Sequence, residues 1–124
     1  MNLVDSSAWL EYSAGTDNAL SFTKAIYRLD TLLVPTLVIY EVFKQILAKR
    51  GENAALHTVA YMKLGNVVDL DLEISLQAAK ISKEHKLPMA DSIILATARK
   101  HNATIWTQDK DFKNFKKVKY FAKR

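Results

Sequence analysis

The segment that decides the fold runs from Thr31 to Gly51 and reads TLLVPTLVIYEVFKQILAKRG. Its first part is apolar and ends at Pro35, and because the residue before a proline favours extended geometry, we predict a strand at residues 31–34. Apolar side chains then recur at helical spacing, which predicts a helix over residues 36–50 with Gly51 as its C-terminal cap. A strand followed directly by a helix is the basic unit of an α/β fold.

The same alternation continues in both directions along the chain. Further strands are predicted at residues 2–5, 66–70, 103–107 and, at an edge, 118–121. Helices are predicted after Ser6, after Asp17, over 52–64 up to Gly65, after Asp71 as N-cap, and from Pro88 in a first turn to about residue 101. Strands separated by helices indicate a three-layer α/β/α fold around a central, mostly parallel sheet of four to five strands, in a single domain over residues 1–124.

Composition excludes several classes of protein. The 124 residues are 49% hydrophobic and 25% charged, as in ordinary globular proteins. Cysteine is absent, so disulfides, thiolate metal sites and cysteine nucleophiles are excluded. No apolar run is long enough to span a bilayer, and the N-terminus lacks the features of a signal peptide. We therefore expect a cytoplasmic protein with no membrane segment.

The net charge of +5 is concentrated at the C-terminus. Seven basic residues and one acid lie between Lys110 and Arg124, interleaved with aromatic residues. This segment either binds nucleic-acid phosphates and stacks on bases or is a solubilising terminal strand, and composition alone leaves both open. The candidate RNA contacts are Lys110, Lys113, Lys116, Lys117 and, on the helix over 36–50, Lys44.

Asp5 and Asp91 are predicted to lie in buried surroundings, where a carboxylate needs a hydrogen-bond donor or a cation as partner. Asp5 follows the first predicted strand, where it either faces a site at the sheet edge or caps the next helix. Asp91 lies in a helix that is apolar on nearly every side, where an ionised carboxylate is costly unless it is paired or bound to a cation. Its alternative role is to complement the helix dipole in the first turn.

Two further acidic positions become candidates for the site only when their place in the predicted fold is considered. Glu41 points away from the apolar stripe of its helix, so taken alone it is predicted to be a solvated surface residue. Its helix follows a strand, however, which places it at the same end of the sheet as Asp5. Asp109 and Asp111 lie on a turn after the fourth strand, where aspartate is common for backbone reasons alone.

Taken together, these segments resemble the PIN-domain nucleases, particularly the VapC toxins of toxin–antitoxin pairs. The resemblance covers the whole chain. It rests on LVDSS at residues 3–7, VIYEV at 38–42, LPMADSIILATA at 87–98 and IWTQDKDF at 105–112.

The resemblance implies a Mg²⁺- or Mn²⁺-dependent endoribonuclease that binds one or two ions. It assigns catalysis and metal binding to Asp5, Glu41, Asp91 and Asp109, with Asp111 as the alternative fourth acid. Ser6, Ser7 and Thr107 match hydroxyl residues that line the site. It also implies RNA as substrate, a cognate antitoxin whose basic side chain enters the acidic cleft, and a homodimer formed through the early helices, for which Trp9, Tyr12 and Phe22 are candidates.

The chain lacks residues that other classes with an aspartate after the first strand require. Phosphotransferases and dehalogenases with an aspartate after the first strand need a second aspartate two residues later, where this chain has Ser7, and receiver domains need an acidic pair before Asp5, where it has Leu3 and Val4. The remaining alternative is an RNA-binding or RNA-processing relative without a toxin role, or an inactive one that binds RNA through its basic C-terminal segment.

Overall fold

The computed structural model describes residues 1–124 as a five-stranded sheet with six α-helices. The strands are β1 (Asn2–Val4), β2 (Leu32–Pro35), β3 (Asn66–Val68), β4 (Thr104–Thr107) and β5 (Val118–Tyr120). The helices are α1 (Ser6–Ala14), α2 (Ala19–Ile26), α3 (Thr36–Arg50), α4 (Glu52–Met62), α5 (Leu72–His85) and α6 (Met89–Lys100). Single 3₁₀ turns lie at Leu29–Thr31 and Lys110–Phe112.

All strand pairs are parallel, and the strand order is β3-β2-β1-β4-β5. The central strand β1 pairs with β2 on one side and β4 on the other, with Leu3 opposite both Leu33 and Ile105. Strand order reverses between β1 and β4, which is the point where parallel α/β sheets usually bind their ligands. The prediction of a three-layer α/β fold with a mostly parallel sheet is confirmed.

Local signals in the sequence placed the helix ends well. Helix α3 has the predicted bounds and is followed by Gly51 at φ 86°, and the Asp71 carboxylate caps α5 by accepting a hydrogen bond from the Ile74 amide at 2.8 Å. Pro88 differs from the prediction because its ψ of 157° is extended, so it is the N-cap and α6 begins one residue later.

Gly65 also has a different role from the predicted helix cap. Helix α4 ends at Met62, and a Cβ at residue 65 would lie 3.0 Å from Val34 Cγ2 and 3.1 Å from the Leu32 carbonyl oxygen. The close approach of this turn to β2 therefore favours glycine, because a Cβ would force its neighbours to shift by a few tenths of an ångström.

The buried aromatic residues correct the predicted dimer surface. Trp9 and Trp106 are buried, as core packing requires. Phe22 and Trp9 are 0% and 1% exposed, so neither offers a surface for the dimer to which they were assigned. Tyr12 is only partly buried and packs against the core. None of the helices combines the length and apolar character needed to cross a membrane.

Truncating a central core side chain is expected to destabilise the fold strongly. Leu33→Ala removes a side chain that is 1% exposed on β2, and we expect a loss of about 3 kcal/mol in the free energy of unfolding, measured by urea denaturation. The matched control is Leu20→Ala, because Leu20 is 84% exposed and its truncation should change stability little. Equal effects of the two substitutions would contradict the packing described here.

Candidate carboxylate site

Asp5 lies directly after β1 and is 3% exposed. Its Oδ1 accepts hydrogen bonds from the Ser7 hydroxyl at 2.7 Å and the Ala8 amide at 3.0 Å, so it is the N-cap of α1. Its Oδ2 accepts from the Thr107 hydroxyl at 2.6 Å. Burial raises the pKa of Asp5 to about 6 although all three hydrogen bonds favour the ionised form. Asp5 therefore caps the helix and also belongs to the site beyond the strands.

The two hydroxyl groups that hold Asp5 also hold the loop after β4. The Thr107 hydroxyl accepts from the Asp109 amide at 2.8 Å, and the Ser7 hydroxyl accepts from the Gln108 amide at 3.1 Å. Each hydroxyl thus donates to Asp5 and accepts from the loop. This pair of bridges fixes the loop against the start of α1 and sets where Asp109 lies relative to Asp5.

Three carboxylates form the tightest acidic group in the chain. One oxygen each of Asp91, Asp109 and Asp111 lies within 4.8 Å of the others, close enough to bind one metal ion. The pKa of Asp91 is raised to about 7, mainly by burial and also by the charge of Asp109 and by a hydrogen bond with Asp111 and its charge. Asp91 is in the first turn of α6, so it also lies where the helix dipole favours a carboxylate.

Glu41 is half-buried, so the prediction of a solvated surface residue is wrong. Its Oε1 atom is buried and has no hydrogen-bond partner. Burial is the main cause that raises the pKa of Glu41, Asp109 raises it further, and a hydrogen bond from Ser6 lowers it. A buried carboxylate oxygen without a partner is unfavourable unless a proton or a cation satisfies it.

Asp109 is the common neighbour of the other acids. Its charge contributes to the raised pKa of Asp5, Glu41 and Asp91. The structure therefore brings acids from four separate segments into one electrostatic cluster, although only Asp91, Asp109 and Asp111 meet within 4.8 Å. Asp109 accepts from the Asp111 amide at 2.9 Å, and Asp111 itself is exposed.

Two clefts open beside this cluster, and both contain basic residues. The larger, of about 630 Å³, extends from Asp109 along α1, and its basic residues are Lys49, Lys123 and Arg124. The smaller, of about 320 Å³, contains Glu41 and Lys44, whose ammonium lies 5.8 Å from the centre of the Tyr40 ring.

The predicted RNA-binding lysines divide between the two ends of the sheet. Lys110 is in the turn that follows Asp109, and the Lys113 ammonium lies 5.9 Å from the ring centre of Tyr120, at the carboxyl end of β5. Lys117 donates instead to the Asn102 carbonyl at 3.0 Å, at the amino end of β4, and Lys116 lines the same region. Lys116 and Lys117 therefore lie away from the fourth acid, because β5 is parallel to β4 and the chain returns to the amino end of the sheet before β5 begins.

A buried polar network was missed by the sequence analysis. Asn18 is 3% exposed, and its amide donates to Gln108 Oε1 at 2.7 Å and to the Ala122 carbonyl at 3.0 Å. Gln108 in turn donates to Glu11 at 3.3 Å. The network attaches the C-terminal segment beside Asp109. No motif in the sequence indicates it, since its hydrogen-bonded partners are separated by up to 104 positions.

Carboxylates gathered at the strand-order reversal of an all-parallel sheet define an α/β protein with an acidic site. The chain belongs to the PIN domain family, whose model matches residues 3–118, and this is a family of nucleases. No curated protein gave a significant match.

Solved structures share the fold at low sequence identity. A toxin-antitoxin complex from Klebsiella pneumoniae is 20% identical, with a TM-score of 0.84 over 98% of this chain and 99% of that one. VapC20 of Mycobacterium tuberculosis, described as a sarcin-ricin loop cleaving toxin, is 18% identical, with a TM-score of 0.76 over 91% and 93%. PAE2754 of Pyrobaculum aerophilum is 20% identical, with a TM-score of 0.77 over 96% and 87%.

The raised carboxylate pKa values predict a pH-dependent stability of the metal-free protein. Asp5 and Asp91 bind protons more tightly in the folded chain, with pKa values of about 6 and about 7, than in the unfolded chain, where both lie near 3.8. Their contribution is therefore fully present below pH 3.8 and is lost as the pH rises through 7. We expect the melting temperature in a chelator to fall by several degrees between weakly acidic and weakly basic buffer.

Two substitutions distinguish the titration of the acidic site from titration elsewhere in the protein. Asp91→Asn removes one of the titrating groups and should flatten the pH dependence, whereas Asp69→Asn removes an exposed carboxylate after β3 and should not. Melting curves of Asp91→Asn as steep in pH as those of the unsubstituted protein would contradict the electrostatic cluster.

Proposed function

We propose that this protein is a Mg²⁺- or Mn²⁺-dependent endoribonuclease, the toxin of a toxin–antitoxin module. The observation that carries the proposal is the cluster of acids around Asp109, in which Asp91, Asp109 and Asp111 come within 4.8 Å of one another. Membership of a nuclease family supports the same conclusion. RNA as the substrate class is supported by the basic residues of the two adjacent clefts.

The donor set suits a hard divalent cation. The site offers carboxylate and hydroxyl oxygens, with no thiolate, and these are the ligands that Mg²⁺ and Mn²⁺ prefer. The buried Glu41 Oε1 atom without a partner is a further ligand position. When bound, one or two such ions supply charge neutralisation for the scissile phosphate and activation of a water.

The residues of the chain then have separate roles. Asp91 and Asp109 are proposed as direct metal ligands, with Asp5 and Glu41 completing the acidic set and Asp111 as the alternative fourth acid. Ser7 and Thr107 position Asp5 through hydrogen bonds of 2.7 and 2.6 Å, and Ser6 orients Glu41. These hydroxyl groups are positioning residues and take no part in bond cleavage.

RNA must reach a site whose own charge is negative. Lys44 and Lys49 on α3, Lys110 and Lys113 after β4, and Lys123 and Arg124 at the C-terminus lie on the side of the sheet where the acids gather. They are proposed to bind phosphates on either side of the scissile bond. Cleavage should accordingly weaken as salt is added.

The proposed partner is an antitoxin that places a basic side chain in the acidic cleft. Several of the similar structures are described as toxin–antitoxin or VapBC complexes. A groove of about 490 Å³ between α1 and α4 offers a surface for such a protein segment. Its aromatic wall includes Tyr12 and Tyr61. A homodimer and a cytoplasmic location remain predictions.

Removing the metal or one ligand is expected to abolish cleavage without abolishing RNA binding. A chelator should stop cleavage, and Mn²⁺ should restore it. Asp91→Asn should lower the cleavage rate by about a hundredfold or more while the dissociation constant for RNA, measured in the chelator, stays within about threefold. The matched control is Asp69→Asn, which removes the same charge from an exposed position.

The same measurement tests the alternative of an RNA-binding relative without nuclease activity. Cleavage that persists in the chelator, or that is equal in Asp91→Asn and the unsubstituted protein, would rule out the metal-dependent mechanism. Binding without any cleavage by the unsubstituted protein would favour the alternative.

The choice of fourth acid can be decided by a second pair of substitutions. Asp109→Asn removes the charge that contributes to the raised pKa of Asp5, Glu41 and Asp91, yet keeps the Oδ1 atom that accepts from the Asp111 amide. We expect it to reduce the cleavage rate at least about tenfold more than Asp111→Asn does, measured at saturating Mn²⁺. The reverse order would assign the role to Asp111.

A further inference from the structure

A second pocket lies at the amino end of β4, opposite the acidic site. It has a volume of about 450 Å³, and its floor consists of apolar residues of α6 and β4. These are Leu95, Ala98, Ala103 and Ile105. The wall is polar and aromatic, with Arg99, Asn102, Asn114, Phe115, Lys116 and Lys117.

The pocket is basic and its charges are not neutralised. No acidic residue lines it, and Arg99, Lys116 and Lys117 form no ion pair in the structure. Lys117 donates to the Asn102 carbonyl and to its side-chain oxygen, which leaves one ammonium hydrogen free. Such a site attracts an anion, because cations without counter-ions around a concave, low-dielectric surface focus positive potential.

The backbone is in an unusual conformation at both residues of the Lys117–Asn102 contact. Asn102 and Lys117 have φ values of 51° and 58°, in the left-handed region that residues other than glycine rarely adopt. The hydrogen bonds from Lys117 to Asn102 hold the two turns together. The wall of the pocket is therefore fixed in place by contacts between the turns before β4 and before β5.

Phe115 gives the pocket an aromatic surface. The Arg99 guanidinium lies 5.9 Å from the centre of its ring, and His85 packs edge-on at 5.0 Å. Aromatic and guanidinium planes stack on bases, side-chain amides such as those of Asn102 and Asn114 can hydrogen-bond base edges, and lysines bind phosphates. The pocket therefore combines an apolar floor, an aromatic stacking surface, side-chain amides and unpaired cations. This combination fits a nucleotide of single-stranded RNA better than it fits an acidic peptide.

We propose that this pocket is a second RNA-binding site, separate from the cleavage site and occupied by a distal part of the same RNA. The inference rests on the proposed ribonuclease function for the identity of the ligand. Asp109 lies six positions after Ala103, which corresponds to about 20 Å of extended chain. At about 3.4 Å per nucleotide, a stacked RNA must be about six nucleotides long to occupy both sites, and an extended RNA can be somewhat shorter. The pocket thus selects for longer RNA.

Single-stranded RNA of two lengths tests the proposal with the full-length protein. One is a dinucleotide, which is too short to span both sites even when extended, and the other has about sixteen nucleotides. The variants are Arg99→Gln and Lys116→Gln in the pocket, with Lys24→Gln on the exposed face of α2 as the control for lost charge. Binding is measured in a chelator across a range of salt concentrations, and cleavage with Mn²⁺.

Each pocket variant should weaken binding of the longer RNA about fourfold near 0.15 M salt, and should reduce the slope of log affinity against log salt by about 0.7. Lys24→Gln should leave both unchanged. Arg99→Gln should cleave the dinucleotide at the rate of the unsubstituted protein, because Arg99 lies at the far end of α6 from Asp91.

Unchanged affinity of both pocket variants for the longer RNA would overturn the proposal. So would a loss of dinucleotide cleavage by Arg99→Gln as large as its loss of cleavage of the longer RNA. Competition by polyglutamate as effective as competition by RNA would also overturn it, because the pocket would then bind any polyanion. If the unsubstituted protein cleaves neither RNA but the pocket variants still weaken binding, the proposed nuclease function fails and the second RNA site stands.

Discussion

When β1 pairs with β4 in parallel, with Val4 opposite Trp106, the residues that follow the two strands emerge side by side. Asp5 follows one strand and the loop with Asp109 follows the other. Hydrogen bonds through the Ser7 and Thr107 hydroxyl groups then fix that loop against α1. Every other element of the site is arranged around this junction, because α3 and α6 deliver Glu41 and Asp91 to the same edge of the sheet.

The junction concentrates negative charge that the folded protein cannot easily hold. Burial and mutual repulsion raise the pKa values of Asp5, Glu41 and Asp91, and one oxygen of Glu41 has no partner. Such a cluster is stabilised when protons or a cation neutralise it, and it lowers the stability of the fold when neither is bound. The buried core residues of β1, β2 and α6 stabilise the fold and so offset the cost of this charge cluster.

Positive charge is distributed over the two ends of the sheet. Lys123 and Arg124 are attached beside Asp109 by the buried pair Asn18 and Gln108, whereas Lys117 is attached to Asn102 at the opposite end. The basic C-terminal segment therefore forms two basic surfaces, one at each end of the sheet, and the edge strand β5 connects them. An RNA that contacts both must follow β4 and β5 along the length of the sheet.

The sequence by itself determined the helices, the parallel sheet and the acids at the ends of strands, because these depend on local signals: apolar periodicity, prolines, glycines and capping residues. It gave the bounds of α3 and the cap at Asp71 correctly. Only the tertiary structure decided that Glu41 is half-buried, because the groups that surround it, Ser6 and Asp109, come from distant segments. The same holds for Lys116 and Lys117, whose distance from the acids depends on how β5 pairs with β4. Charge and polarity are properties of a residue, but burial and neighbours are properties of the packed chain.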